Sequence, residues 1–367
     1  MSDELPVFRF ELEPALVRAL SEAAARVIES RRYVLGPEVE QFEREFAAYC
    51  GSPHCVGVAN GTDSIELALR AIGVTAGDRV VTTANAGGYT ATALHAIGAQ
   101  PLFVDVGEDL VMSPFALDRS LDGVRAVVVT HLYGRMAAVG EIVERASAAG
   151  VPVVEDCAQA HGAHIDGKSA GTFGALGCFS FYPTKNLGAL GDAGAILTAD
   201  SAAATRMRAL RQYGWDNKYH VAHEGGRNSR LDEMQAAFLR VKLPFLRGWT
   251  AARTAIALRY CAGLRGAPVR VPQWRGGEYV AHLFVIRCTD RDALRAHLSR
   301  AGIGTDIHYP IADHMQAAAR RDGVRLPVTE AACDEVLSLP CFPGMRETDV
   351  DRVVAAVRDH YEGSGHG

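Results

Sequence analysis

The chain has 367 residues, 48% of them hydrophobic, and a formal net charge of −5 with both signs interspersed. That length leaves room for two domains with sizeable cores. No apolar run approaches the span of a bilayer, and no basic block offers itself to nucleic acid or to an anionic membrane. The start, Met1-Ser2-Asp3-Glu4, lacks the basic flank and apolar core of a signal peptide. The eight cysteines form no C-x-x-C pair, and Cys178 and Cys288 fall in apolar, strand-like runs, which fits a reduced, cytoplasmic protein.

Apolar spacing predicts a helix over 13–30, with Leu16, Leu20, Ala24, Val27 and Ile28 on one face, and after the breaker Gly36-Pro37 a second over 38–50. Beyond Gly51 strands and helices alternate. Strands are expected at 56–60, 80–83, 102–106, 126–130, 151–155, 178–182 and 194–198. Helices opening at Gly61, Tyr89 and Pro114, and one over 139–149, fill the gaps. From Ser201 the pattern is helical, with long helices over 231–246 and 251–264 separated by Gly248. Residues 268–277 read as a linker or hairpin, followed by a strand at 280–288, a helix at 292–301 and a last helix at 350–361. This order predicts an α/β fold: a doubly wound, mostly parallel sheet in a large domain over 1–247, and a smaller α+β domain over 248–367.

In such a sheet, ligands sit beyond the carboxyl ends of the strands. Those ends gather Asn60-Gly61-Thr62, the loop leading to Tyr89, His131 to Gly134, Glu155 to Gly162 and Ser180 to Lys185. Lys185 has no other lysine or arginine within seven residues on either side, and it follows Pro183, which ends a strand ladder. The plain alternative is a surface lysine. In a packed pocket, desolvation instead lowers the amine's pKa and makes it a nucleophile able to form Schiff bases. Gly61-Thr62, at a helix start, suits a phosphate or an ordinary N-cap. Asp156, at the end of a buried strand, is either a helix cap or the partner of a protonated ring nitrogen. Tyr89 is either core or an aromatic face for a flat cofactor. Together these four features describe a pocket for pyridoxal 5'-phosphate.

At these residues the sequence resembles the DegT-type sugar aminotransferases, which are fold-type I pyridoxal phosphate enzymes. The likeness runs through Asn60-Gly61-Thr62-Asp63-Ser64, Glu155-Asp156-Cys157-Ala158-Gln159-Ala160-His161-Gly162, the stretch from Ser180 to Gly188, and the stretch from Gly226 to Ala237. The resemblance implies that Lys185 would hold the cofactor and later move the proton at the substrate carbon. Asp156 would salt-bridge the ring nitrogen, Gln159 would bond the ring hydroxyl, and Tyr89 would stack on the ring. Gly61, Thr62 and Ser180 would bind the phosphate. Asn228 would reach the partner subunit's phosphate, which implies a homodimer with shared sites. Asn228-Ser229 also fits the N-cap of the helix from Leu231, with Ser229-x-x-Asp232 as a variant capping box.

The implied substrates are nucleotide-linked ketosugars, with dTDP as the expected nucleotide and glutamate as the donor that becomes 2-oxoglutarate. Ile307-His308-Tyr309-Pro310 and Lys218-Tyr219 resemble a subgroup that aminates C3. The resemblance implies that Lys218, Tyr219, His308 and Tyr309 of these motifs face the sugar nucleotide, and Tyr33 and Tyr182 are expected to bind substrate as well. Amination at C4, or dehydration by a related branch that can carry histidine in place of the lysine, are the alternatives. Lys185 favours amino transfer. One departure stands out. Where family members usually carry a proline and a Ser or Thr before the stacking aromatic, this chain has Ala84-Asn85-Ala86-Gly87-Gly88. The two glycines add backbone freedom.

Three other readings are set aside. Gly162 to Ser169 matches G-x-x-x-x-G-K-S, but the glycine-rich sequence after it disfavours a helix, and Asp166-Gly167 is a hairpin-turn signal. His161, His164 and Asp156, or His220 and His223, lack the ligand pattern of a zinc site, so no metal is expected. A non-catalytic regulator would be expected to carry a DNA-binding module, and the sequence offers none.

Overall fold

The structure, a computed structural model, describes residues 4–9, 13–118, 120–318 and 323–364. Its centre is a seven-stranded sheet: β1 (His54–Val58), β2 (Arg79–Thr83), β3 (Gln100–Val104), β4 (Ala126–Thr130), β5 (Val153–Asp156), β6 (Leu176–Ser180) and β7 (Gly194–Thr198). In space the order is β1-β7-β6-β5-β4-β2-β3. The pairs from β6 to β3 are parallel, and β7 runs antiparallel to both of its neighbours. The reversal follows from the link between β6 and β7. Residues 181–193 contain no helix, and a parallel return needs a crossover of that kind. The same link carries Lys185.

Successive residues of each strand feed opposite faces. Val127, Val129, Phe179 and Leu197 join one core, with Phe42 and Phe46 of α2 (Pro37–Cys50), Ile142 of α5 (Val139–Ala148) and Leu239 of α7 (Glu233–Lys242). Val128, Cys178 and Ile196 join the other, with Leu67 of α3 (Gly61–Ala71), Leu94 of α4 (Tyr89–Ile97) and Met207 of α6 (Ser201–Leu210). β4 is buried along its whole length, as its near-continuous valine sequence requires of a strand covered on both faces. Helix α1 (Pro14–Ser30) packs outside this layer against Ala237 and Phe238 of α7. The buried Glu233 carboxylate accepts hydrogen bonds from the amides of Gly36, Glu38 and Val39 at 2.8–2.9 Å, capping α2 from a distant part of the chain.

A second core collects Tyr260 of α8 (Leu246–Gly263), Phe284 and Ile286 of β8 (Phe284–Arg287), Leu298 of α9 (Arg291–Arg300), Leu337 of β9 (Val336–Leu339), and Val353 and Val357 of α11 (Glu347–Ser364), with α10 (Pro327–Glu335) preceding β9. Leu5 belongs to this core as well: its amide donates to Gly302 O at 2.9 Å. The segment before α1 therefore packs with the C-terminal unit.

Several expectations are corrected. The helices expected to divide at Gly248 divide at Pro244 instead, in a 3₁₀ turn over Leu243–Phe245, and α8 runs straight through Gly248. Proline cannot donate the helical bond, whereas a lone glycine only weakens a helix. The helical reading after Ser201 missed a hairpin, Trp215–Asn217 with His220–Val221, and α10 and β9 were not expected. Three strands start and end two residues earlier than expected (β1, β3 and β6). The β6 ladder ends where Ser180 pairs with Gly194, which places Tyr182 in the loop. The hairpin expected at Asp166-Gly167 is present, pairing His164–Ile165 with Lys168–Ser169.

Candidate active site

A cavity of about 520 Å³ opens at the carboxyl ends of β4, β5 and β6. Of the predicted site residues, Gly61, Thr62, Tyr89, Asp156, Gln159, Ser180, Tyr182, Lys185, His308 and Tyr309 line it.

The start of α3 forms one wall. The Asn60 side chain accepts from the Asp63 amide at 2.8 Å, and the first intrahelical bond is Ser64 N to Asn60 O, so the amides of Gly61 and Thr62 precede the ladder. A Cβ on Gly61 would lie 2.5 Å from the Ser180 Cβ. Only glycine lets the helix start approach the end of β6 this closely, and the approach sets the Ser180 hydroxyl beside those amides.

Asp156 ends β5 and is 5% exposed. Its carboxylate accepts from the Ala158 amide at 3.1 Å and the Thr130 hydroxyl at 3.3 Å. Burial pushes its pKa up, against opposing pulls led by the Ala158 amide and Lys185. A carboxylate in that position gains most from a cationic donor in the cavity.

Lys185 sits in a tight turn. Its amide donates to Tyr182 O at 2.8 Å, and a Cβ on Gly188 would lie 2.2 Å from Pro183 O. The turn is held from outside by the Lys242 ammonium on Gly188 O at 2.8 Å and by Asn186, whose amide donates to Val280 O at 3.2 Å and whose oxygen meets His282 Nδ1 at 3.1 Å. The Lys185 amine has no hydrogen bond or ion pair among the described residues. Burial lowers its pKa from 10.5 to about 8, with Asp156 opposing the shift. A sizeable neutral, nucleophilic fraction therefore exists near neutral pH.

The opposite wall is aromatic. Gln159 accepts from the Tyr133 amide at 2.6 Å and donates to the Tyr309 hydroxyl at 3.2 Å. The Tyr309 ring meets Tyr89, the first residue of α4, edge-on at 6.2 Å. His308 is fixed by Ser338 Oγ at 2.8 Å from its Nδ1, and its carbonyl accepts from the Tyr133 hydroxyl.

Four predicted residues lie elsewhere. Tyr33 is 54% exposed between α1 and α2, and Lys218-Tyr219 form the tip of the Trp215–Val221 hairpin with the ammonium 5.0 Å from the tyrosine ring. Asn228 is exposed and bridges to Gln212. The cap expected at Asn228-Ser229 is absent. The N-cap of α7 is Asp232, without a side-chain bond, and the Ser229 hydroxyl is occupied by the Ala59 amide at 3.1 Å.

Sequence reasoning missed Thr130, His282, Val7 and Phe8 in the cavity wall. Thr130 had a signal: it is the polar residue closing a valine strand. The others come from the second unit and the leading segment, and local sequence says nothing of their approach. The buried cluster of His131, Glu155 and Cys157 has metal-ligand chemistry, but the Glu155 carboxylate is saturated. It accepts from the amides of Gly171, Phe173 and Gly174 at 2.7–2.9 Å and pairs with His131 at 3.0 Å. His161 is buried against Phe179 and Phe181 at 5.4–5.5 Å, and burial lowers its pKa to about 3, so it is neutral.

Behind the Ala84–Gly88 loop, Asp313 is 1% exposed and neither carboxylate oxygen has a hydrogen-bond partner among the described residues. Burial pushes its pKa from 3.8 up to about 7, against a weaker pull from the Gly88 backbone. A raised folded-state pKa means that the stability contribution is fully present below pH 3.8 and lost as pH rises through 7. The stability difference between wild type and Asp313→Asn is expected to swing in favour of the variant by about 3–4 kcal/mol from pH 4 to pH 8. Paired denaturation curves at the two pH values check this.

A nucleophilic amine, a buried carboxylate and an anion-ready helix start around one cavity are the equipment of an enzyme that transfers amino groups. The chain belongs to the DegT/DnrJ/EryC1/StrS aminotransferase family, whose profile matches residues 15–358. It is 43% identical over 359 residues to dTDP-3-amino-3,4,6-trideoxy-alpha-D-glucose transaminase of Streptomyces venezuelae, covering 94% of this chain and 93% of that one. It is 41% identical over 344 residues to dTDP-3-amino-3,6-dideoxy-alpha-D-galactopyranose transaminase of Aneurinibacillus thermoaerophilus, covering 93% and 94%. Among solved structures, S. venezuelae DesV in complex with ketimine intermediate superimposes with a TM-score of 0.90 at 42% identity, over 94% of this chain and 95% of that one. The mostly parallel α/β fold is shared with these transaminases. Among the described residues no helix is long and apolar enough to cross a membrane.

Proposed function

We propose that this protein is a pyridoxal phosphate-dependent aminotransferase that converts a dTDP-linked 3-keto-deoxysugar to the 3-amino sugar, taking the amino group from glutamate and acting as a homodimer. The observation that carries the reading is the placing of Lys185, Asp156 and the Gly61–Ser180 cradle on one cavity. The residues fit the cofactor's three demands: amides and a hydroxyl for a phosphate, a buried carboxylate for a ring-nitrogen proton, and an amine for an aldehyde.

When bound, pyridoxal phosphate supplies an electron sink for the carbon bearing the amino group. The chain's own residues do the rest. Asp156, buried at the cavity wall, would hold the ring nitrogen and keep its proton in place. Lys185, whose amine faces the cavity, would hold the cofactor and would be the group to carry a proton at the substrate carbon. Gln159 and Tyr89 would form the wall against the cofactor ring, and Tyr309 would face the ketosugar. C3 is favoured because both named relatives are transaminases of 3-amino sugars. The dimer is favoured by the positions of Tyr33, Tyr219 and Asn228, which are exposed and outside this cavity yet match motif positions of the family.

The purified protein, incubated with 2-oxoglutarate and separately with dTDP-linked 3-amino and 4-amino deoxysugars, is expected to form glutamate from the 3-amino sugar alone. Glutamate from the 4-amino sugar alone would place the reaction at C4. None from either would remove the sugar reading.

A further inference from the structure

The Ala84–Gly88 loop contributes Ala86 to the cavity wall and packs against Tyr309. The loop is fixed at its upstream end: Ala84 O accepts from the Asp313 amide at 2.7 Å, and the Asn85 side chain donates to Leu110 O at 2.8 Å. Gly87 and Gly88 follow, with φ of 76° and 79°. The two glycines differ in what they face. A Cβ on Gly88 would meet nothing within 4 Å, whereas a Cβ on Gly87 would lie 2.9–3.0 Å from three ring atoms of Tyr309. Tyr309 is confined on its other sides by the edge-on Tyr89 ring and by the Gln159 amide on its hydroxyl. With Ala84 and Asn85 anchored, the loop resists moving away from the ring. Given a side chain at 87, the ring has to shift towards the cavity.

We propose that Gly87 is a specificity-determining residue of the cavity: by lacking a side chain it seats the Tyr309 ring back against the loop and so keeps open the space that the ketosugar ring enters. This rests on the reading of the cavity as a ketosugar site. Gly87 touches no substrate itself and acts through Tyr309. The expected signature is therefore a loss confined to the half-reaction of the larger partner. Glutamate, a smaller and flexible acid, leaves more of the cavity empty.

The test measures the two half-reactions separately on the holoenzyme, in wild type, Gly87→Ala and Gly88→Ala. Both variants carry the same left-handed backbone penalty, so Gly88→Ala isolates strain from the clash. Gly87→Ala is expected to raise the KM for the ketosugar by about 10-fold or more and to leave the glutamate half-reaction within about threefold of wild type. Gly88→Ala is expected to stay within about threefold in both. In a Tyr309→Leu background, which trims the ring, Gly87→Ala is expected to add less than half of that effect on a logarithmic scale. Equal losses in the two alanine variants, parallel loss in both half-reactions of Gly87→Ala, or full additivity with Tyr309→Leu would overturn the proposal. A wild type that turns over glutamate but no ketosugar would sink the function reading and this proposal together. An active wild type with any of the three contrary patterns sinks this proposal alone.

Discussion

Lys185→Ala is expected to abolish amino transfer, with a loss of at least about 10⁴-fold in kcat, because one amine serves both as the cofactor's attachment point and as the proton carrier. The physical basis is the lowered pKa. With a value of about 8, roughly a quarter of the amine is neutral at pH 7.5, against about a thousandth for an ordinary lysine. The same shift has a stability consequence of fixed sign. A depressed folded-state pKa means that the folded protein resists the charged amine. Stability is therefore highest above the unfolded value of 10.5 and is lost as pH falls through about 8. Without cofactor, Lys185→Ala is then expected to melt higher than wild type at pH 7, with the gap closing as pH approaches 10.5. A surface lysine would show neither effect.

Asp156→Asn gives the second large effect, and its two readouts move in opposite directions. Loss of the carboxylate removes the charge partner of a ring-nitrogen proton, and breaking a buried pair costs about 3–5 kcal/mol. Cofactor affinity and turnover together are expected to fall on the order of 10³-fold. The cofactor-free variant, by contrast, is expected to be more stable than wild type at neutral pH. Burial raises the folded-state pKa of Asp156, so the ionised carboxylate destabilises the empty protein, and that penalty disappears as the group protonates on acidification. Titration of cofactor binding and thermal melts of the empty protein check the two halves. Unchanged affinity, or a destabilised empty variant, would contradict the role assigned to Asp156.

Much of the fold and the site is legible in the sequence for identifiable reasons. The valine run of β4 and the isolation of Lys185 are local features with few physical explanations, and both stand where the sequence places them. The position of Asp156 at a strand end is equally readable, because a carboxylate after buried apolar residues needs a reason to be there. What cannot be read depends on long-range approach. Gly61 reads as part of an anion site, while its contact with Ser180 is set by sheet order. Gly87 reads as a source of flexibility, yet the loop is anchored by Asp313 and Leu110, and the missing side chain makes room for Tyr309. The antiparallel β7 is implicit in the helix-free link over 181–193. The end of β6 slips by two residues because the aromatic pattern continues through Phe181 and Tyr182 past the last ladder bond. Val7, Phe8 and His282 reach the cavity from elements whose sequence carries no trace of their neighbours.

The most direct measurement is to reduce the holoenzyme with borohydride, digest it and locate by mass spectrometry the residue that has become permanently joined to the pyridoxyl group. The expected result is a single modified site, Lys185. Attachment at another lysine such as Lys242, or no attachment in a protein that nonetheless transfers amino groups, would contradict the assignment on which every other role in the cavity depends.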